Sequence, residues 1–147
     1  MRLKTSFPTI APPDLAFGYL EDFGRIEEWD PFIASVERLT PGEPQVGSIY
    51  VLTAKRGGFR LRYEVTELDR GARRLRLVGS ATGFRGWDEI TVTPTEGPGS
   101  IVTYEAEIGL RGRGRLLYLV APVMLLVAAV SGGNPLRGMR RRLDALV

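Results

Sequence analysis

Residues 59–82 read FRLRYEVTELDRGARRLRLVGSAT, and the alternation within them decides the fold. Phe59, Leu61, Tyr63 and Val65 alternate with Arg60, Arg62, Glu64 and Thr66, the period of two expected of a strand in a sheet wet on one face. The odd positions are read as facing inward. After a break at Asp69 to Ala72, Leu75, Leu77, Gly79 and Ala81 again share one face. A hairpin closing with residue 67 opposite 73 sets Tyr63 across from Leu77 inside the sheet and Glu64 across from Arg76 outside it.

Working outward, the same reading extends the sheet in both directions. Strands are expected over 2–9, 35–40, 48–55, 59–68, 73–82, 84–94 and 100–111, separated by Pro/Gly-rich or tight segments such as Arg56-Gly57-Gly58 and Glu96-Gly97-Pro98-Gly99. In the last pair the inward set is even: Phe84, Gly86, Asp88, Ile90 and Val92 against Val102, Tyr104, Ala106, Ile108 and Leu110. Pairing 94 with 100 brings Asp88 beside Ala106. After the first strand, Ala11-Pro12-Pro13-Asp14 punctuates the chain before a short helix, Leu15 to Phe23, since Pro and Asp suit a helix start. Gly24 ends it. A second short helix is read over Ile26 to Ile33, bent near Trp29 by Asp30-Pro31.

At the other end, Leu116 to Val130 reads LLYLVAPVMLLVAAV, with Arg111, Arg113 and Arg115 before it and Arg137, Arg140, Arg141 and Arg142 after it. A bilayer-spanning helix needs about 20 apolar residues. This run is shorter, contains Pro122 and ends at Ser131-Gly132-Gly133, so it is read as a helix buried within the protein. Pro122 divides it into a turn or lid, Leu116 to Ala121, and the start of the inward helix, Val123 to Val130. A second break falls at Gly132-Gly133-Asn134-Pro135, and Leu136 to Val147 forms the closing helix.

The chain has 147 residues, without Cys or His. It is read as one domain, 1–147, long enough to bury a core without disulfide or metal. Cys/His zinc sites, thiol nucleophiles and Ser-His-Asp triads are excluded. No paired-acid or Ca-loop motif points to a metal, and no cofactor is expected. The opening MRLKTSFPTI has no apolar signal core, which makes the cytoplasm the expected location. Net charge is +3, split between 13 Lys/Arg against 16 Asp/Glu in residues 1–110 and seven Arg against Asp144 in residues 111–147. The basic end lacks the interleaved aromatics and motifs of nucleic-acid binders, and is read as a solvated helix face. Weak contact with an anionic membrane, or a homodimer, are the other fates open to an arginine-flanked apolar run.

Two features of the inner face set it apart from a solid core. Gly79, Ala81, Gly86 and Ala106 are small, and either admit a helix closely or leave a cavity. Asp88 is polar among apolar neighbours, and a buried carboxylate must find partners or titrate at raised pH. The alternative is a bulge at Gly86 that turns Asp88 outward and Trp87 inward.

These residues resemble a family. Ala11-Pro12-Pro13 before the first helix, Trp29 in I-E-E-W-D-P-F after it, Val46-Gly47 leading into the third strand, and Gly99-Ser100-Ile101-Val102-Thr103-Tyr104 entering the last strand are similar, in this order and spacing, to the START/polyketide-cyclase superfamily, SRPBCC. The resemblance spans nearly the whole chain. It implies an α+β helix-grip fold, in which a seven-stranded antiparallel sheet wraps a long C-terminal helix around an apolar pocket, with two short helices after the first strand. Members bind lipids, sterols, hormones or polyketides, and some catalyse cyclisation or dehydration. A small hydrophobic ligand in an internal cavity is therefore the expected partner, held by Trp29, Phe32, Tyr63, Leu77, Tyr104, Met124 and Leu125. The enzymatic alternative is a cyclase or dehydrase in which Asp88, with Tyr63 and Tyr104, does acid/base work. A further alternative is a peripheral lipid-transfer protein whose 116–130 segment opens onto a bilayer.

Overall fold

Alternating side chains build the sheet, and proline and glycine mark where it stops. The computed structural model describes residues 2–81, 83–110 and 135–147. Its elements are β1 (Arg2–Thr9), α1 (Pro13–Leu20), a single 3-10 turn (Phe23–Arg25), α2 (Ile26–Trp29), β2 (Ile33–Arg38), β3 (Ile49–Ala54), β4 (Arg60–Asp69), β5 (Arg74–Ala81), β6 (Phe84–Pro94), β7 (Ser100–Leu110) and α3 (Pro135–Asp144). The strands form one antiparallel sheet in the order β1-β7-β6-β5-β4-β3-β2. Among the described residues no helix is long and apolar enough to cross a membrane. The expected long C-terminal helix is described only in α3. The apolar run 116–130, with Met124 and Leu125, lies outside the described residues.

The β6–β7 hairpin has the expected register, Pro94 opposite Ser100 and Asp88 opposite Ala106, without a shift along its length. The β4–β5 hairpin does not. Tyr63 pairs with Gly79, Val65 with Leu77 and Glu64 with Val78, whereas Arg76 faces Glu67. The turn pairs Asp69 with Arg74 instead of closing at 67 opposite 73, which shifts the register by three, and a bulge between Val65 and Glu67 with one extra residue on β4 takes one back. The expected Tyr63–Leu77 pair is therefore displaced by two while both residues keep the inward face. Phe59 is also corrected. It precedes β4, its ring lies against Gly57 and it is 49% exposed rather than inward.

The helical segment between β1 and β2 is more broken than expected. Pro13 opens α1 at its first turn, where a missing N–H costs nothing, and α1 ends at Leu20 rather than Phe23. Asp22 then caps the 3-10 turn by accepting from the Gly24 N–H at 3.1 Å, and holds the Arg38 guanidinium with contacts of 2.5 and 2.9 Å. A Cβ on Gly24 would stand 2.4 Å from that guanidinium carbon. The next helix ends at Trp29, not Ile33, because the residue before Pro31 is driven out of helical geometry. Strand β2 accordingly starts at Ile33, two residues earlier than expected.

The core lies on the inner sheet face, where Leu75, Leu77, Ile90, Val92 and Val102 meet Phe17, Leu20, Phe23, Met139 and Leu143. Helix α3 closes it. Thr9 Oγ1 donates to the Asp144 carboxylate at 2.6 Å and the Ile10 N–H adds a second bond at 3.0 Å. On its other flank, a Cβ on Gly138 would stand 2.1 Å from the Trp29 carbonyl oxygen, so only glycine lets α2 and α3 approach this closely. Arg137, Arg140, Arg141 and Arg142 are exposed, the solvated face expected of them.

Candidate functional site

The unbroken β6–β7 register decides which side of the sheet Asp88 occupies. With no bulge at Gly86, Asp88 keeps the face of Ile90 and Val92, both essentially inaccessible, and its cross-strand neighbours are Leu77 and Ala106. Trp87 takes the outer face. There it lies 4.2 Å from the Arg76 guanidinium and 5.9 Å from that of Arg2, and its Nε1–H donates to Glu107 at 3.1 Å. The outward placement of Trp87 is thus stabilised by charged partners on neighbouring strands.

Tyr104 stands opposite Ile90 on β7, and its hydroxyl donates to the Asp88 carboxylate. Tyr63, on β4, lies with its ring over Gly79, where a Cβ would come within 2.7 Å of a ring carbon. The same ring meets Phe23 in a tilted contact, with centroids 5.1 Å apart. The small residue at 79 therefore makes room for Tyr63. At Gly86 the constraint is backbone: a Cβ would stand 2.4 Å from the Glu107 carbonyl oxygen.

The electrostatics follow from burial. Asp88 is raised from 3.8 to about 6, chiefly because removal from water disfavours the carboxylate. The Tyr104 hydrogen bond opposes the shift, and the negative charge of Asp30 adds to it. Tyr104 and Tyr63 are both held well above the ordinary tyrosine value, first by burial and then by the Asp88 charge. At neutral pH the site thus presents a largely ionised carboxylate that takes up a proton just below neutrality, beside two phenols that stay protonated.

Asp30 is the site residue that the sequence reading missed, having treated it only as a helix bend. Its carboxylate accepts from the Phe32 N–H at 2.9 Å, the local bond typical of Asp in a turn. Burial raises it, the Phe32 N–H and Lys55 act against that shift, and its charge is felt by Asp88, Tyr63 and Tyr104 alike. The available signal was a carboxylate directly after the apolar end of α2. Phe32 is half-buried beside it, and its carbonyl accepts from the Lys55 N–H at 2.8 Å. Trp29 is buried in the core at 5% exposure, and Leu77 is fully buried. Asp88, Tyr63 and Tyr104 are brought together; Met124 and Leu125 lie outside the described residues.

A family model described as polyketide cyclase / dehydrase and lipid transport matches residues 2–147. A comparison with curated proteins finds no match. Solved structures of the same fold include the Zhui aromatase/cyclase from Streptomyces sp. R1128, 16% identical over 98% of this chain and 93% of that one, with a TM-score of 0.74. Norcoclaurine synthase from Thalictrum flavum, in complex with dopamine and hydroxybenzaldehyde, is 18% identical over 99% and 85% of the two chains, with a TM-score of 0.70. Ara h 8.0201 is 13% identical over 99% and 98%, with a TM-score of 0.71.

Proposed function

This chain belongs to the polyketide cyclase/dehydrase and lipid transport family, and on that premise we propose that it holds a small hydrophobic ligand with a hydroxyl or carbonyl group directed at Asp88 and Tyr104. The observation that carries this reading is the Tyr104–Asp88 hydrogen bond on an otherwise apolar strand face. Apolar walls supply the affinity, and a few convergent polar groups orient what they enclose. Leu77, Trp29 and Phe32 contribute the apolar part. Neighbours in fold with an aromatase/cyclase activity or bound dopamine and hydroxybenzaldehyde support ligands that combine a flat apolar body with oxygen substituents.

The direct test is native mass spectrometry of protein purified from its own host, with identification of the released molecule. A ligand-sized mass excess lost in Asp88→Asn or Tyr104→Phe is the expected result. Uniformly ligand-free protein that also takes up no apolar fluorescent probe sinks the reading.

A second reading has its own support in the position of Asp88, raised to about 6. A carboxyl group titrating near neutrality exchanges protons with a bound polyketone more effectively than an ordinary aspartate. Here Asp88 is the acid/base group, and Tyr63 and Tyr104 hydrogen-bond developing oxyanions, as a cyclase or dehydrase requires. Turnover abolished in Asp88→Asn, with the fold intact, separates this from binding alone.

A further inference from the structure

Beyond Lys55, the β3–β4 hairpin tip takes no part in the site described above, yet its composition is unusual for a short turn. Residues 55–60 read Lys-Arg-Gly-Gly-Phe-Arg, and all six are exposed. Gly57 and Gly58 both adopt positive φ, 77° and 61°, which lets the chain reverse tightly, and the Ala54 N–H closes the loop onto the Phe59 carbonyl at 2.8 Å. Phe59 is left half in water against Gly57.

The sheet concentrates further charge at this end. Arg62 and Arg85, both exposed, flank Ser80 on adjacent strands. Of the five cations Lys55, Arg56, Arg60, Arg62 and Arg85, only Arg60 has an ion-pair partner among the described residues, Glu37 at 3.3 Å. The opposite end of the sheet differs: Arg70, Arg73 and Arg74 are paired with Glu21, Asp14 and Glu67. We infer that the 55–60 tip docks on an anionic bilayer surface, Phe59 entering the interface while Lys55, Arg56, Arg60, Arg62 and Arg85 face the headgroups.

A bilayer fits this feature better than a protein does. A stable protein interface needs about 800 Å² per partner, more than a narrow hairpin tip presents, whereas an aromatic ring flanked by cations matches the membrane–water interface. The tip also adjoins the site. The Lys55 N–H bonds the Phe32 carbonyl, Tyr63 lies three residues from the start of β4, and Asp88 four from the start of β6. Docking there would bring the ligand site toward the bilayer; in that respect alone the inference rests on the ligand-binding reading.

The test is co-sedimentation of the full chain with phosphatidylcholine vesicles, with and without phosphatidylserine. Binding is expected only with phosphatidylserine, weakening as salt rises. Arg56→Ser/Arg60→Ser should weaken it by about fivefold for each charge removed, and Phe59→Ser should weaken it further, while Arg140→Ser/Arg141→Ser on α3 retains it. A Phe59→Trp variant should show a blue-shifted emission on the anionic vesicles. Absence of wild-type binding, undiminished binding in both tip variants, loss confined to the α3 variant, or unshifted Phe59→Trp emission would each overturn the inference. Uptake of an apolar probe in vesicle-free buffer tests the ligand-binding reading separately, and the tip variants should keep it.

Discussion

Tyr104 donates its hydroxyl proton to the carboxylate of Asp88 from two positions along the neighbouring strand, Asp88 itself standing opposite Ala106. The bond stabilises the ionised form of Asp88, while burial among Leu77, Ile90 and Val92 destabilises it. Burial is the larger effect, since Asp88 ends at about 6 rather than below 3.8. The consequences for stability and chemistry are measurable.

Asp88→Asn removes a pH-dependent cost. Because the folded-state value is raised, the native protein binds more protons than the unfolded chain between about 4 and 6, and the Asp88 contribution to stability falls as pH rises through that window. Wild type should lose about 1–3 kcal/mol relative to Asp88→Asn across it. Urea unfolding of both proteins as a function of pH gives the difference directly. Parallel stability curves would exclude a desolvated Asp88.

Tyr104→Phe should move Asp88 further upward. The lost hydrogen bond was the influence lowering Asp88, so carboxyl-carbon NMR titration should place the variant above about 6. Loss of the bond should also cost about 1–3 kcal/mol at pH values where Asp88 is ionised and left without its donor. An unchanged Asp88 titration would show that the two groups do not interact in solution.

Gly138→Ala is diagnostic of how closely α3 is seated. In an open helix interior this change stabilises by about 1 kcal/mol. Here the added methyl meets the Trp29 carbonyl oxygen at 2.1 Å, and a destabilisation of about 1–3 kcal/mol is expected from the forced separation of α2 and α3. Thermal unfolding reads the sign. A raised Tm would mean that the helices are farther apart.

Asp144 should behave in the opposite sense to Asp88. It is lowered from 3.8, first by the Thr9 hydroxyl and also by the Ile10 N–H and Arg140, against a smaller burial effect. Its contribution is therefore present above about 4 and is lost as pH falls through the lower folded-state value. Asp144→Ala should be less stable than wild type at neutral pH by about 1 kcal/mol for each lost bond, with the gap closing in acid. Amide exchange at Ile10 should speed up in the variant. Unchanged exchange there would dissociate α3 from the end of β1.

The strand content was legible because apolar and polar residues alternate with period two, and that period assigns faces without knowledge of partners. The β6–β7 register was legible too, since the turn at Glu96 to Gly99 and the shared even parity agree. The β4–β5 register was not: the turn pairs Asp69 with Arg74, and the bulge between Val65 and Glu67 shows only as a change of apolar parity from Val65 to Leu68, which alternation along one strand does not distinguish from the strand's end. Residues 26–33 show the limits of local reading in another way. The sequence has a helix start at Ile26 and a break at Asp30-Pro31, but pairing of Ile33 with Ala54 claims the following residues for the sheet.

The sequence alone determined that this chain builds an antiparallel sheet with an inward Asp88 candidate, excluded Cys- and His-based chemistry, and carried the motifs of its family. Only the tertiary structure decided that Asp88 faces in and Trp87 out, that Tyr104 is its donor, and that Asp30 shares the same interior. The reason is that parity constrains one strand at a time. Burial, hydrogen-bond partners and the pKa values they shift depend on residues brought together from distant strands and helices, and those distances are set by bulges, turns and close backbone contacts that no single segment encodes.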